Sequence, residues 1–276
     1  MPAKILILIF STLLIFSCSK KNQEDLISDV SNEEAVIAIY SEALKSLKDG
    51  NAFYAGKKFR EVESLLPQTE WAAKASLMSA YSDYSRNSYA DSVFGLERYI
   101  KNYPADPNIP YAHYLIAICY YEQILDEKKD LAPLLKAQEK FNFILSKYPE
   151  TDYAIDATFK IDLIINQLAA KEMSIARYYM KIEKWIPALN RLKSVKKNYD
   201  KTIFIEEALH RIVEVYYKIG LVNEAKEAAS ILGYNYGSGE WYEKSYKVFN
   251  KEYEPIKTSK EKDMGFLRKK IKDLLK

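Results

Sequence analysis

The feature that most constrains the fold of this chain is a recurring pair of apolar helical stripes that ends at a helix breaker. A small residue lies twelve positions before each breaker, and a larger apolar residue lies eight positions before it. The breakers are Leu66-Pro67, Tyr103-Pro104, Tyr148-Pro149 and Tyr199-Asp200. The small residues are Ala55, Ser92, Ala137 and Ala188, and the larger ones are Phe59, Leu96, Phe141 and Leu192. Small residues let helix axes approach closely, so the pattern predicts packed helical hairpins.

These segments resemble consecutive hairpins of the tetratricopeptide (TPR) type. A fifth unit, Ile212–Leu232, carries Gly220 and Ala225 at the spacing that Gly50 and Ala55 have in the first unit. One unit cannot bury its own apolar stripe, so neighbouring units must stack. We therefore predict an all-α chain, built as a superhelical stack of about five TPR-like hairpins.

Two units are longer than the others. Successive small positions are separated by 37, 45, 51 and 37 residues. We place one insertion at Asp126–Asp130 and a second, an extra helical stretch, at Tyr153–Leu168.

The composition supports helices and disfavours two other classes of protein. The chain has only 8 glycines, few for the tight turns of a β-sandwich, and 23 tyrosines, which suit helices packed through large, half-polar side chains. Its 41 basic and 38 acidic residues give a net charge of +3. A nucleic-acid binder would carry a stronger basic excess, so we expect no nucleic-acid partner.

The N-terminus has the pattern of an export signal that ends in a lipid anchor. Lys4 precedes an apolar run of 12 residues, Ile5–Phe16, which is shorter than the about 20 residues that span a bilayer. The segment Ile15-Phe16-Ser17-Cys18 resembles the lipobox of bacterial lipoproteins, which implies that Cys18 is lipidated and becomes the mature N-terminus. The alternative is a plain signal peptide, or an uncleaved anchor, with an incidental cysteine.

The same resemblance implies a location. Ser19, rather than an aspartate, follows the cysteine, and in bacterial lipoproteins this favours the outer membrane. We expect the mature chain to lie on the periplasmic face of that membrane, since several acyl chains anchor a protein stably.

Four regions follow from these patterns. Residues 1–17 form the signal peptide, and residues 18–32 form a flexible polar tether from the lipidated cysteine. Residues 33–239 form the repeat domain, with a turn-rich end at Gly233–Gly239. Residues 240–276 form a basic C-terminal extension.

The extension carries a short apolar stripe. Leu267, Ile271, Leu274 and Leu275 share a helical face surrounded by lysines. Two readings stay open: an interfacial or partner-binding helix, and a solvated terminus.

No residue pattern indicates catalysis or a metal. Cys119 lies in an apolar helical stretch and is expected to be a small buried hydrophobe. His113 and His210 lie far apart, each within a helical pattern, and read as core or surface residues. Neither a phosphate-binding glycine loop nor a nucleophile elbow is present. We expect no metal, no cofactor and no enzymatic activity.

Three segments carry a more specific resemblance. They are Tyr103–Tyr111 (YPADPNIPY), the run from Tyr148 (YPETDYAIDAT), and Ala176–Tyr179 (ARYY) followed by Trp185, Ala188 and Asn190-Arg191. Together, over roughly residues 33–232, they resemble the BamD family, the TPR lipoproteins of the β-barrel assembly machinery.

This resemblance implies a scaffold in the Bam complex. In that family the C-terminal repeats hold the periplasmic POTRA part of the barrel subunit BamA, and other Bam lipoproteins can take part. Arg191 matches the family arginine that pairs with an acidic POTRA residue, beside Asn190, and an arginine fork suits a carboxylate.

The N-terminal repeats of the family are thought to bind the C-terminal β-signal of unfolded outer-membrane proteins. Pro67 and Trp71 match a proline and an aromatic position near that recess, and an aromatic lining suits such a signal. Each residue also has a purely structural reading, since Pro67 terminates a repeat and Trp71 can belong to the core.

Two segments depart from the family pattern, and one other function stays open. The stretch Leu125–Leu134 is shorter than its family counterpart, and the chain after Gly239 has no recognisable counterpart. The alternative function is another envelope TPR lipoprotein, for example one that coordinates cell-wall synthesis.

Overall fold

The computed structural model describes residues 23–123, 131–237 and 239–250. Within these ranges there are eleven α-helices and no strand, which confirms the predicted all-α class. The helices are α1 (Gln23–Lys48), α2 (Ala52–Leu65), α3 (Glu70–Ser85), α4 (Tyr89–Asn102), α5 (Ile109–Glu122), α6 (Ala132–Lys147), α7 (Asp152–Lys181), α8 (Trp185–Asn198), α9 (Ile205–Lys218), α10 (Val222–Tyr236) and α11 (Glu240–Phe249). Two compact units contain them: residues 23–123 with 139–155, and residues 131–138 with 156–250.

Three of the sequence predictions fall outside the described residues. They concern the signal peptide with Cys18, the insertion at Asp126–Asp130, and the apolar stripe between Leu267 and Leu275.

The helices pair into hairpins as the spacing predicts. All four small residues at the helix crossings, Ala55, Ser92, Ala137 and Ala188, are completely buried. The larger residues four positions later, Phe59, Leu96, Phe141 and Leu192, are completely buried as well. The spacing of small and larger apolar residues in the sequence therefore predicted these core positions correctly.

The turn inside a hairpin has the same geometry in four hairpins. A residue with positive φ lies two positions before the second helix: Gly50 (φ 82°), Asn87 (φ 62°), Glu183 (φ 57°) and Gly220 (φ 85°). The amide of the next residue donates to a carbonyl five positions back, as in Asn51 to Ser46 (2.9 Å) and Leu221 to Tyr216 (2.9 Å). This is the Schellman ending of a helix, which directs the chain into the second helix.

The core of the first unit lies between α1, α2 and α3. It contains Val36, Ala43, Ala55, Phe59, Val62 and Ala75. Gly56 lets α2 and α3 approach closely, because a Cβ there would lie 3.2 Å from the Cβ of Ser82. The first two hairpins therefore pack through small residues.

The core of the second unit joins α7, α8, α9 and α10 through Met173, Ala176, Ala188, Leu192, Ile212 and Ala225. Helix α11 extends this unit, since Trp241 and Tyr242 pack on a cluster of Ile205, Leu209 and Leu232. The packed helices of the second unit thus continue beyond Gly239, the residue at which we predicted the repeat domain to end.

The segment Gly233–Gly239 is less turn-like than the sequence suggests, because α10 continues to Tyr236. A Cβ on Gly233 would lie 2.9 Å from Cε2 of Tyr242. This glycine therefore makes room for the ring of α11 inside a helix.

Two other helix boundaries differ from the predictions. Helix α1 begins at Gln23, inside the segment predicted to be a tether. Residues 23–32 contain no glycine or proline, and Glu24 and Asp25 lie in the first turn, where acidic residues favour a helix N-terminus. The extra helical stretch at Tyr153–Leu168 is continuous with the following helix, giving the 30-residue α7.

Among the residues that the structure describes, no helix combines the length and the apolar character needed to cross a bilayer.

Candidate binding surfaces

Arg191 lies on the outer side of α8 in the second unit. The helix buries Ala188, Leu189, Leu192 and Val195, a spacing that leaves position 191 exposed. Nη1 of Arg191 lies 3.3 Å and 3.4 Å from the two carboxylate oxygens of Glu172 on α7. The carboxylate holds one end of the guanidinium, which leaves the exposed fork oriented for a second acidic group.

Asn190 is also exposed but lies about 100° around the helix from its neighbour. Helix α8 carries four cations, Arg191, Lys193, Lys196 and Lys197, and no acidic residue. The surface around Asn190 and Arg191 is therefore suited to an acidic partner.

A charged network on α7 and α9 was not singled out from the sequence. Arg177 Nε donates to Glu207 at 2.9 Å, and Arg211 Nη1 donates to Glu214 at 2.6 Å. Burial would raise the pKa of Glu207, but Arg177 and Arg211 hold it below its ordinary value. The Arg177–Glu207 ion pair thus joins α7 to α9, and the helical spacing of the sequence alone does not predict this contact.

Pro67 lies at the edge of a recess in the first unit. The recess has a volume of about 490 Å³. It is lined by Arg60, Glu63, Ser64, Pro67, Gln68, Arg98, Asn102 and Tyr103. The structure therefore places the predicted proline on a concave, polar surface between α2 and α4.

Trp71 does not line this recess. Its half-buried ring packs against Tyr40, with ring centroids 5.4 Å apart, and Nζ of Lys74 lies 5.5 Å from the ring centroid. The structure thus does not bring Pro67 and Trp71 together in one cavity, and Trp71 contributes to the packing of the first core.

A second recess adjoins the first and shares Arg60 and Arg98 with it. Its volume is about 330 Å³, and its lining includes Ser76, Ser79 and the exposed ring of Phe94. Sequence reasoning missed both arginines, because an arginine on the polar face of an amphipathic helix is ordinary.

The thiol and the two imidazoles belong to packed regions. Cys119 is completely buried, and burial raises the pKa of its thiol to about 11, as expected for an inert cysteine. The rings of His113 and Phe143 are in tilted contact, with centroids 4.7 Å apart, and Nδ1 of His210 lies 2.9 Å from Ser245 Oγ. Within the described ranges, no group of three or more histidine, cysteine or acidic side chains is placed to hold a metal ion.

Comparison with known proteins identifies relatives of the whole repeat region. A family model described as YfiO, outer membrane lipoprotein, matches residues 32–231. The outer membrane protein assembly factor BamD of Caulobacter vibrioides is 38% identical over 249 residues, which cover 90% of this chain and 81% of that protein. The protein of the same name from Rickettsia prowazekii is 36% identical over 237 residues, covering 86% of this chain and 92% of that protein.

More distant matches include a solved structure. BamD of Neisseria meningitidis is 27% identical over 243 residues, covering 84% of this chain and 91% of that protein. A crystal structure of kinesin-light-chain TPR-like repeats from Podosopora anserina matches with a TM-score of 0.32 and 14% identity, covering 72% of this chain and 92% of that chain.

Proposed function

The chain belongs to the YfiO family of outer membrane lipoproteins, and we propose on that premise that it is an assembly factor for outer-membrane proteins. The observation that carries this proposal is the family match over residues 32–231, together with relatives at 36% and 38% identity that bear that function in their names. By the same reasoning the chain works with the other components of a Bam complex.

The chain acts in this role as a scaffold and not as a catalyst. Its helical hairpins present long exposed helix faces, which suit the binding of other proteins. The chemistry of Cys119 agrees, because a completely buried thiol with a raised pKa is a poor nucleophile.

The second unit docks the POTRA part of a BamA-like barrel protein. Arg191 is the contact of interest, with Asn190 next to it in the chain and also exposed on α8. Support comes from the orientation of Arg191 by Glu172 and from the four cations of α8, which favour an acidic partner.

The first unit receives the β-signal of unfolded outer-membrane proteins. Pro67 at the recess between α2 and α4 is the residue that favours this placement. The half-buried ring of Trp71 packs against Tyr40 outside this recess, so any contact that Trp71 makes with the signal is separate from the one at Pro67.

A lipid on Cys18 holds the protein on the periplasmic face of the outer membrane. The lipobox-like segment that ends at Cys18 supports this attachment, and so does the description of the family as lipoproteins. The segment between Cys18 and α1 then joins the anchor to the helical domain.

Depletion of the protein in its own cells tests the proposed function. We expect the amounts of the folded, heat-modifiable forms of several barrel proteins in the outer membrane to decrease. Re-expression of the wild-type protein should restore these amounts. Normal levels of folded barrel proteins combined with a cell-wall defect would contradict the proposal and favour a role in cell-wall synthesis.

A further inference from the structure

The two adjoining recesses of the first unit form one groove between α2 and α4, with α3 as its floor. Arg60 of α2 and Arg98 of α4 line both recesses, so the two guanidinium groups mark the place where the recesses meet. Close packing fixes this floor, since a Cβ on Gly95 of α4 would lie 3.0 Å from the Cβ of Ala80 of α3.

Each of the two guanidinium groups is held in place through one nitrogen. Nη1 of Arg60 donates to Ser79 Oγ at 2.9 Å and lies 3.6 Å from Asp83 Oδ2, while Nη2 of Arg98 donates to Glu63 Oε2 at 2.7 Å. A guanidinium has five N–H donors. Among contacts within the described residues, the remaining donors of Arg60 and Arg98 have no recorded acceptor, so both groups keep capacity for an anion.

The groove also contains a buried hydroxyl without a partner. Ser76 lines the second recess, is 1% exposed, and its Oγ has no hydrogen-bond partner among the described residues. Buried hydroxyls are nearly always hydrogen-bonded in folded proteins. An unpaired one in a groove indicates a place for a ligand's polar atom.

The lining determines which ligand fits. Glu63 and Asp83, whose side chains are 13% and 12% exposed, orient the two arginines and formally balance their charge. Arg86 and Asp91 of the second recess pair with each other, so a highly charged ligand such as a polyphosphate is not favoured. A single carboxylate has about four lone-pair sites, so it can accept hydrogen bonds from both guanidinium groups. The ring of Phe94, 71% exposed at the second recess, offers contact to an apolar side chain next to that carboxylate.

We propose that Arg60 and Arg98 together bind the C-terminal carboxylate of a polypeptide whose last residues lie along this groove. The inference rests on the proposed function, because the substrate signal of an assembly factor for barrel proteins lies at the C-terminus. It assigns the recognition of the chain end to two side chains that the family resemblance did not supply.

Fluorescence anisotropy with two labelled peptides tests the proposal. The peptides copy the last strand of an outer-membrane barrel protein, about ten residues long, and differ only in ending as a free carboxylate or as an amide. We expect the wild-type chain to bind the amide about tenfold more weakly, the effect of losing one charge-assisted hydrogen-bonded pair.

Variants of the two arginines complete the test. Arg60→Gln and Arg98→Gln should bind both peptides alike, at the level of the amide peptide. Lys57→Gln, which removes a cation from the exposed side of α2 outside both recesses, should keep the wild-type difference. Arg98→Lys keeps a charge for Glu63 but removes the fork, so it should lose the difference even if Arg98→Gln fails to fold.

The possible outcomes distinguish failure of the carboxylate site from failure of substrate binding by the first unit. Equal binding of both peptides by the wild-type chain, or a difference that persists in the arginine variants, would overturn the carboxylate site and leave the proposed function standing. Failure of the wild-type chain to bind either peptide would overturn substrate binding by the first unit, and the carboxylate site with it.

Discussion

Four exposed arginines, three of them on the proposed binding surfaces, are each held by a largely buried carboxylate. The pairs are Arg60 with Asp83, Arg98 with Glu63, Arg177 with Glu207, and Arg191 with Glu172, and the carboxylate side chains are 11–17% exposed. Exposed ion pairs add little to stability. Their main effect here is to fix the guanidinium groups before a partner arrives, which lowers the entropic cost of binding.

Glu214 makes the stability of the second unit dependent on pH. Burial would raise the pKa of Glu214, but hydrogen bonds from His210 and Arg211 lower it from 4.5 to about 2. Because the folded-state pKa is lowered, the carboxylate stabilises the fold fully above pH 4.5, and this contribution is lost as the pH falls through about 2. We predict that Glu214→Gln reduces the free energy of unfolding near neutral pH and that its difference from wild type shrinks over this interval.

Urea unfolding at a series of pH values measures this difference. The exposed Glu97 provides the control, since Glu97→Gln should change the free energy of unfolding little at any pH. A difference between wild type and Glu214→Gln that stays constant from neutral to acid pH would contradict the assignment.

Sequence reasoning located some of these residues and not others. Cys119 was predicted to be buried because its neighbours are apolar, and it is completely buried. Arg191 and Pro67 were found through resemblance to a family, and their roles stay predictions. The grouping of Arg60, Arg98 and Ser76 depends on three different helices, so no local pattern could reveal it.

At the scale of the element, the repeated hairpin turn provides a matched pair of variants. Glu183 and Gly220 occupy the same left-handed position, with φ of 57° and 85°. A Cβ on Gly220 would meet nothing within 4 Å, so a substitution there acts through the backbone alone. We predict that Gly220→Ala lowers the free energy of unfolding by about 1 kcal/mol and that Glu183→Gly raises it by a similar amount.

Thermal and urea unfolding of the two variants checks this prediction. Both changes lie in the second unit, so one can be measured against the other in the same background. Changes of the same sign in both variants would show that the left-handed conformation does not control the turn.

The helices themselves were predictable to different degrees. Hairpins with a breaker and a small crossing residue were recovered, because periodicity and proline act locally. The start of α1 was not predicted, because the polar composition of its first residues was taken to indicate a tether. The packing of α11 was not predicted either, because the glycines around Gly233 were taken to indicate turns. Gly233 is explained only by Tyr242, which lies on the next helix.

For the whole molecule, the expected anchor depends on a single residue. We predict that Cys18→Ala releases the protein from the membrane fraction, because the acyl chains that would anchor it are attached to this cysteine. Fractionation combined with metabolic labelling by a fatty-acid analogue measures the effect. Unchanged labelling and membrane retention in Cys18→Ala would contradict the lipid attachment.

Affinity purification from membranes of its own cells tests most directly which proteins the chain binds. Mass spectrometry should identify a POTRA-bearing barrel protein as the main partner of the wild-type chain. Arg191→Glu should reduce that recovery about tenfold or more, while Lys218→Glu, which reverses an exposed charge at the end of α9, should not. Recovery of cell-wall enzymes without a POTRA-bearing protein would keep the fold and contradict the assembly function.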